Sequence, residues 1–181
     1  MNTGSKPLWV LLLPLVLSPL PVSGAYDMFL KISGIEGEST DARHAKEIVV
    51  LSFSQGVSVP PSLPGGTGGG KATFTDLSIV KQVDKSTPLL YQRSAQGTHF
   101  PQAVLTLRSV GGSQVEFYKI TLTDVLISSV QTGGSSGGDN RPVETLTLNY
   151  AKIEWQYVPV NADGSAATPV NGSWDLRTNT P

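Results

Sequence analysis

Two histidines, fourteen carboxylates and no cysteine make up the chemically active side chains of this 181-residue sequence. Without cysteine there is no thiolate nucleophile, no disulfide and no cysteine-ligated zinc. His44 and His99 stand far apart, and a metal site built on them would need a third ligand from elsewhere. Glu36, Glu38 and Asp41 are close enough in sequence to pair for general acid–base work. They lie in a polar, glycine-punctuated stretch, however, where carboxylates ordinarily form a solvated face.

Two glycine motifs suggest other chemistry. Gly65 to Lys71 (GGTGGGK) has the letters of a phosphate-binding loop, but Ala72 stands where a magnesium-binding hydroxyl is needed. The residues that follow are strand-like, whereas a phosphate cradle needs a helix N-terminus. Gly133-Gly134-Ser135-Ser136-Gly137 has the spacing of a nucleophile elbow. That elbow requires a strand-to-helix turn and a histidine downstream, and both histidines precede Ser135. Asn171-Gly172-Ser173 is a glycosylation sequon, relevant only in a eukaryotic secretory pathway. No catalytic residue, cofactor or metal is expected.

The totals point the same way. Charged residues make up 15% of the chain and the net charge is −1, with both signs scattered. Nucleic-acid binding needs a clustered basic face, so it is not expected. Leu8 to Leu20 is an apolar run broken by Pro14 and Pro19, preceded by Lys6 and followed by small residues up to Ala25. These are the parts of a secretory signal, and the run is too short for a stable membrane span. Residues 1–24 are therefore read as a signal peptide or as a leader left by a mis-assigned start.

The elements that would position any site are mostly strands. Met28, Leu30 and Ile32 alternate with Phe29 and Lys31. Glu36 to Lys46 reads as a loop, Ile48 to Phe53 as a second strand and Pro60 to Gly70 as a mobile loop. Ala72 to Val80 resumes the strand pattern. A helix over about 88–96 follows, with Thr87 as N-cap, Pro88 at its first position, Gly97 as its stop and Leu89, Leu90 and Ala95 as its buried face. Leu105 and Leu107 mark another strand, and Val115 to Val130 a long one. After a Gly/Ser linker at 133–138, Val143 to Val158 forms the last strand.

Within that last strand Leu146, Leu148 and Tyr150 are even-numbered while Ile153, Trp155 and Tyr157 are odd. Strict alternation cannot bury both sets on one face. A bulge near Ala151, or passage from one sheet to another, would reconcile them. The fold class is thus mainly β, a two-sheet barrel or sandwich with one short helix. Residues 25–158 form the domain, and 159–181 are expected as a flexible tail.

The run Ala25-Tyr26-Asp27-Met28-Phe29-Leu30-Lys31-Ile32-Ser33-Gly34-Ile35-Glu36-Gly37-Glu38-Ser39-Thr40-Asp41 resembles the opening of the Hcp family, the haemolysin-coregulated tube proteins of bacterial type VI secretion systems. His44, Glu47-Ile48, Leu51 to Ser54, Gly56, Phe74 to Asp84, the helix and the two long strands extend the likeness to about Val158. The resemblance implies a two-sheet barrel with one helix against it. It also implies a homo-hexameric ring, stacking of rings into a hollow tube, and partners in a spike protein, a contractile sheath and effector proteins carried in the lumen. Such a protein is a conduit and carrier and is secreted.

Ring-to-ring contact would fall to the polar loop, with Glu38, Asp41 and His44 as its candidate residues; ordinary surface is the competing reading. A leader departs from the family pattern. If it is an artefact of start choice, assembly is cytoplasmic. If it is cleaved, the chain is periplasmic, and an exported β-sandwich that binds a ligand or surface becomes the alternative.

Overall fold

The computed structural model describes Met1 and residues 25–60, 70–136 and 141–181. The leader, most of the Pro/Gly-rich loop and the end of the Gly/Ser linker lie outside those residues. Among the described residues, β1 is Tyr26–Ile32, β2 Ile48–Val49, β3 Ser52–Ser54, β4 Val57–Ser58, β5 Thr73–Phe74 and β6 Leu77–Gln82. Helix α1 is Thr87–Ala95, followed by β7 (His99–Ser109), β8 (Glu116–Gly133), β9 (Val143–Tyr157) and β10 (Val170–Asp175). The main sheet runs β2-β1-β7-β8-β9-β6-β3, with β10 on β9, and β4 and β5 form a small second sheet. This is the mainly β architecture with one helix that the strand pattern implied.

The alternating residues of these strands meet in one core. Leu30 and Ile32, Leu77 and Ile79, Leu105 and Leu107, Ile120 and Leu122, and Leu146 and Leu148 belong to a single cluster that Leu90 of α1 joins. Each such side chain contributes about 1.5–3 kcal/mol through removal from water. The stretch 48–53, expected as one strand, changes partner instead. The Val50 N–H donates to Met28 O at 3.0 Å in β1, and the Leu51 N–H donates to Val80 O at 2.8 Å in β6. One extended segment thereby bonds β1 at one end of the sheet order and β6 at the other, and curls the sheet on itself.

The phase change in β9 has a counterpart in its neighbours. Burial passes from even to odd positions between Tyr150 and Ile153, from even to odd between Leu122 and Val125, and from even to odd between Phe100 and Ala103. The register of β7 on β8, and of β8 on β9, is the same on either side, yet the pairs that would join Pro101, Asp124 and Ala151 are missing. Asp124 has φ +54°, and Pro101 has no N–H to donate. A crease across three strands, one residue deep in each, turns the sheet and lets Leu146, Leu148 and Tyr150 share one core with Ile153 and Trp155, whereas Tyr157 is exposed. The one-residue slip in β8 register falls elsewhere, between Ile127 and Ser129.

Two expectations need correction. Ser86, not Thr87, is the N-cap; Thr87 and Pro88 are already helical. On α1 only Leu90 is buried, whereas Leu89 is 37% exposed and Ala95 is exposed. Adjacent residues point about 100° apart around a helix, and the face that α1 turns to the sheet takes Leu90 and leaves Leu89 at its margin. Gly97 ends the helix at φ +61° as expected.

The tail is the second correction. β10 pairs with β9 from Val170↔Tyr157 to Asp175↔Lys152. β6 covers β9 only as far as Leu148, so the second half of β9 has a free edge that β10 fills. Trp174 then packs on the core beside Phe74, ring centroids 6.1 Å apart.

Candidate functional site

The loop at 36–47 lies over the outer face of β1, β7 and β8. On β7 the inward residues Leu105 and Leu107 alternate with Thr106 and Arg108, yet Thr106 and Arg108 are buried as well. The loop is what covers them. It is closed on itself by Gly37 N–H to Lys46 O (2.7 Å), Ser39 N–H to Glu47 O (3.0 Å) and Lys46 N–H to Ser39 O (2.8 Å). The backbone approach at Gly37 is so close that a Cβ there would lie 2.4 Å from Glu47 O.

Asp41 is the main anchor. Its two carboxylate oxygens accept from Arg108 Nη1 at 2.9 Å and Nη2 at 2.7 Å, a two-pronged pair, and Oδ1 also accepts the N–H groups of Arg43 and His44. The Arg108 guanidinium first, then those backbone donors, hold the Asp41 carboxyl well below the usual carboxylate range. Arg108 also donates to Asp27 at 3.1 Å. His44 is buried, stacked on Phe29, with Nδ1 2.9 Å from Glu47 Oε2.

Glu38 faces the other way. Its oxygens accept from Arg141 Nη1 at 2.9 Å and from the Lys85 N–H at 3.0 Å, and these donors, Arg141 above all, hold its carboxyl below the usual carboxylate range. Glu36 binds Lys46 and Lys85, both at 3.2 Å, and is lowered by them in that order. The three candidates therefore do not converge. Asp41 and His44 fasten the loop inward onto β1, β7 and β8, while Glu38 ties its outer side to the segments leading into α1 and β9. Nothing in this arrangement aims two carboxylates at one reacting atom.

A second polar centre escaped sequence reasoning. Lys81 of β6 and Glu144 of β9 face each other across the sheet, and both side chains are fully buried. Lys81 Nζ bonds Glu144, Asp84 Oδ1 (2.8 Å) and the Gln82 carbonyl (2.8 Å). Asp84 in turn accepts the Ser86 N–H at 2.9 Å, and Thr87 Oγ1 donates to Glu144 at 2.9 Å. This cluster fixes the start of α1 to the end of the barrel. A signal was present in the pattern: Lys81 is in phase with Leu77 and Ile79, and Glu144 with Leu146 and Leu148.

The remaining motifs stay apart. Lys71 leads into β5, not a helix, and Ser135 is exposed between β8 and β9. His99 pairs with Asp124 at 2.9 Å and does not meet His44's partners. Among the described residues no group of three or more acidic or histidine side chains could hold a metal ion, and no helix is long and apolar enough to cross a membrane.

Comparison with known proteins gives one consistent answer. The family model of the type VI secretion system effector Hcp matches residues 29–157. Protein hcp1 of Pseudomonas aeruginosa is 49% identical over 159 residues, covering 86% of this chain and 98% of that protein. The solved structure of a type six secretion system protein superposes with a TM-score of 0.81 at 34% identity, over 86% of this chain and 99% of that one. The crystal structure of Hcp1 from Salmonella typhimurium gives 0.72 at 33% identity, over 86% and 98%.

Proposed function

The chain belongs to the Hcp family of type VI secretion proteins, and from that premise we propose that it is a structural subunit of the secretion tube. Six copies close into a ring, rings stack into a hollow conduit, and effectors travel in the lumen to a spike-tipped, sheath-driven end. The observation that carries this reading is the 49% identity over nearly the whole length of the Pseudomonas protein. A ring of identical subunits needs a heterologous contact that closes by rotation.

The loop at 36–47 is the ring-to-ring contact. Asp41 and His44 hold it rigid from beneath, and the exposed side chains of Glu36, Glu38 and Lys46 are presented to the next ring. A pinned polar flap suits this role because little conformational freedom is lost when it docks. The subunit works by assembly and not by catalysis. Electron microscopy of the purified protein tests the reading: six-fold rings with an open centre support it, and particles of single-subunit size at high concentration refute it.

A second reading, an exported β-sandwich that binds outside the cytoplasm, is favoured by the signal-like pattern of residues 1–24. N-terminal sequencing of the mature protein separates the two. Processing near Ala25 supports export, and an uncleaved or cytoplasmic start removes its basis.

A further inference from the structure

His44 is 5% exposed, with its ring parallel to Phe29 at a centroid distance of 4.3 Å. Both of its nitrogens face carboxylates. Nδ1 is 2.9 Å from Glu47 Oε2, while Nε2 is 3.5 Å from Glu116 Oε1 of β8 and has no hydrogen-bond partner. Neutral imidazole carries one N–H and one lone pair. With the proton on Nδ1, the Nε2 lone pair faces Glu116; with the proton on Nε2, the Nδ1 lone pair faces Glu47. Each neutral form sets a lone pair against an anionic acceptor with no donor between them. Only the imidazolium, with a donor on each side, matches both neighbours.

The other charges around the ring leave this mismatch in place. From the loop, Asp41 accepts the His44 backbone N–H at 3.1 Å but is committed to Arg108, and Arg43 donates to the Gln114 carbonyl at 2.9 Å. From β7, Arg108 sits over the Phe29 ring, 5.2 Å from its centroid. From β8, Lys119 takes the second oxygen of Glu116 at 3.2 Å. Lys31 of β1 lines the same cleft, which has a volume of about 270 Å³ and opens beside His44. That cleft gives a proton a route to solvent.

We propose that His44 is a proton-operated clasp: protonated, it bridges Glu47 and Glu116 and locks the 36–47 loop onto β8, and deprotonated, it releases the β8 side. The proton leaves to water through the cleft, and Glu116 stays with Lys119. The inference concerns the loop of the single subunit and does not depend on the ring reading.

Hydrogen-exchange protection factors of the amides of residues 41–47, corrected for intrinsic exchange and followed over a pH series in which the fold stays intact, test it. In the unmodified protein, protection should fall roughly tenfold as pH rises, the order expected for one lost charge-assisted bond. In Glu116→Gln the new amide donates to the Nε2 lone pair of neutral His44, so protection should stay level. Glu47→Gln satisfies the opposite tautomer and should also stay level, so failure of either variant to fold leaves the other decisive. His99→Gln should keep the original slope, which excludes the chain's other histidine. Level protection in the unmodified protein, or the original slope surviving in a folded Gln variant, overturns the clasp.

Discussion

Replacing Lys81 with methionine should strand a carboxylate in the interior. Lys81 and Glu144 are a directly opposed cross-strand pair with fully buried side chains. In Lys81→Met, Glu144 keeps the hydroxyls of Thr87 (2.9 Å) and Thr132 (3.3 Å) but loses its cation. Breaking a buried ion pair from one side costs about 3–5 kcal/mol. Glu144→Gln should cost less, about 1–3 kcal/mol, because Asp84 still neutralises Lys81 and a neutral amide is cheaper to bury. The double variant Lys81→Met/Glu144→Gln removes both charges of the opposed pair and leaves only Asp84, which keeps the Ser86 N–H as a donor, so it should be more stable than the sum of the two single losses by at least about 1.5 kcal/mol.

Urea unfolding followed by tryptophan fluorescence measures these differences. Protein concentration must be fixed, because association adds to apparent stability. In a thermal scan, Lys81→Met should melt roughly 6–20 °C lower for a chain of this size. A loss below about 1 kcal/mol, or strict additivity in the double variant, would refute the view that this pair is a coupled buried clamp.

Other perturbations probe separate links. Gly37→Ala places a methyl against the Glu47 carbonyl and should loosen the loop at a cost of about 1–3 kcal/mol, read as lost amide protection at Ser39 and Lys46. Leu90→Ala removes the only fully buried side chain of α1 and should cost about 2–5 kcal/mol by urea titration, with the barrel strands retained by circular dichroism. Asp41, Glu38 and Glu36 all have carboxyls held below their ordinary range, chiefly by hydrogen bonds from Arg108, Arg141 and Lys46 respectively. Their folded pKa is depressed, so their contribution is fully present above the unfolded carboxylate range and drains away as pH falls beneath it. Exchange protection of the loop should therefore drop in acid below about pH 4, first at Glu36 and Glu38 and last at Asp41, and Asp41→Asn should abolish the last step.

The strand phases carried much of this in plain sight. Met28, Leu30 and Ile32 gave the inward face of β1, and the shift from Tyr150 to Ile153 announced the crease before Asp124 and Pro101 revealed its extent. What stayed hidden depended on partners distant in sequence. Val170 to Asp175 reads as polar turn material, and it is a strand only because β6 stops at Leu148 and leaves β9 an edge to fill. Val50 and Leu51 look like the middle of one strand, and only the two sheet edges they bond make them a junction. Arg108 is buried on the outward phase of β7 because a loop more than sixty residues away folds over it. Asp41 and His44 stand out as loop residues of interest, but the inward attachment of Asp41 to Arg108 and the stacking of His44 on Phe29 are tertiary facts that spacing does not encode.

Native mass spectrometry of the purified protein tests assembly most directly, because it counts subunits without regard to ring orientation or staining. A dominant species of six chains, which separates into single chains only as activation energy rises, is the predicted result. A spectrum holding only monomer across the concentrations at which the fold is intact would contradict the tube-subunit account.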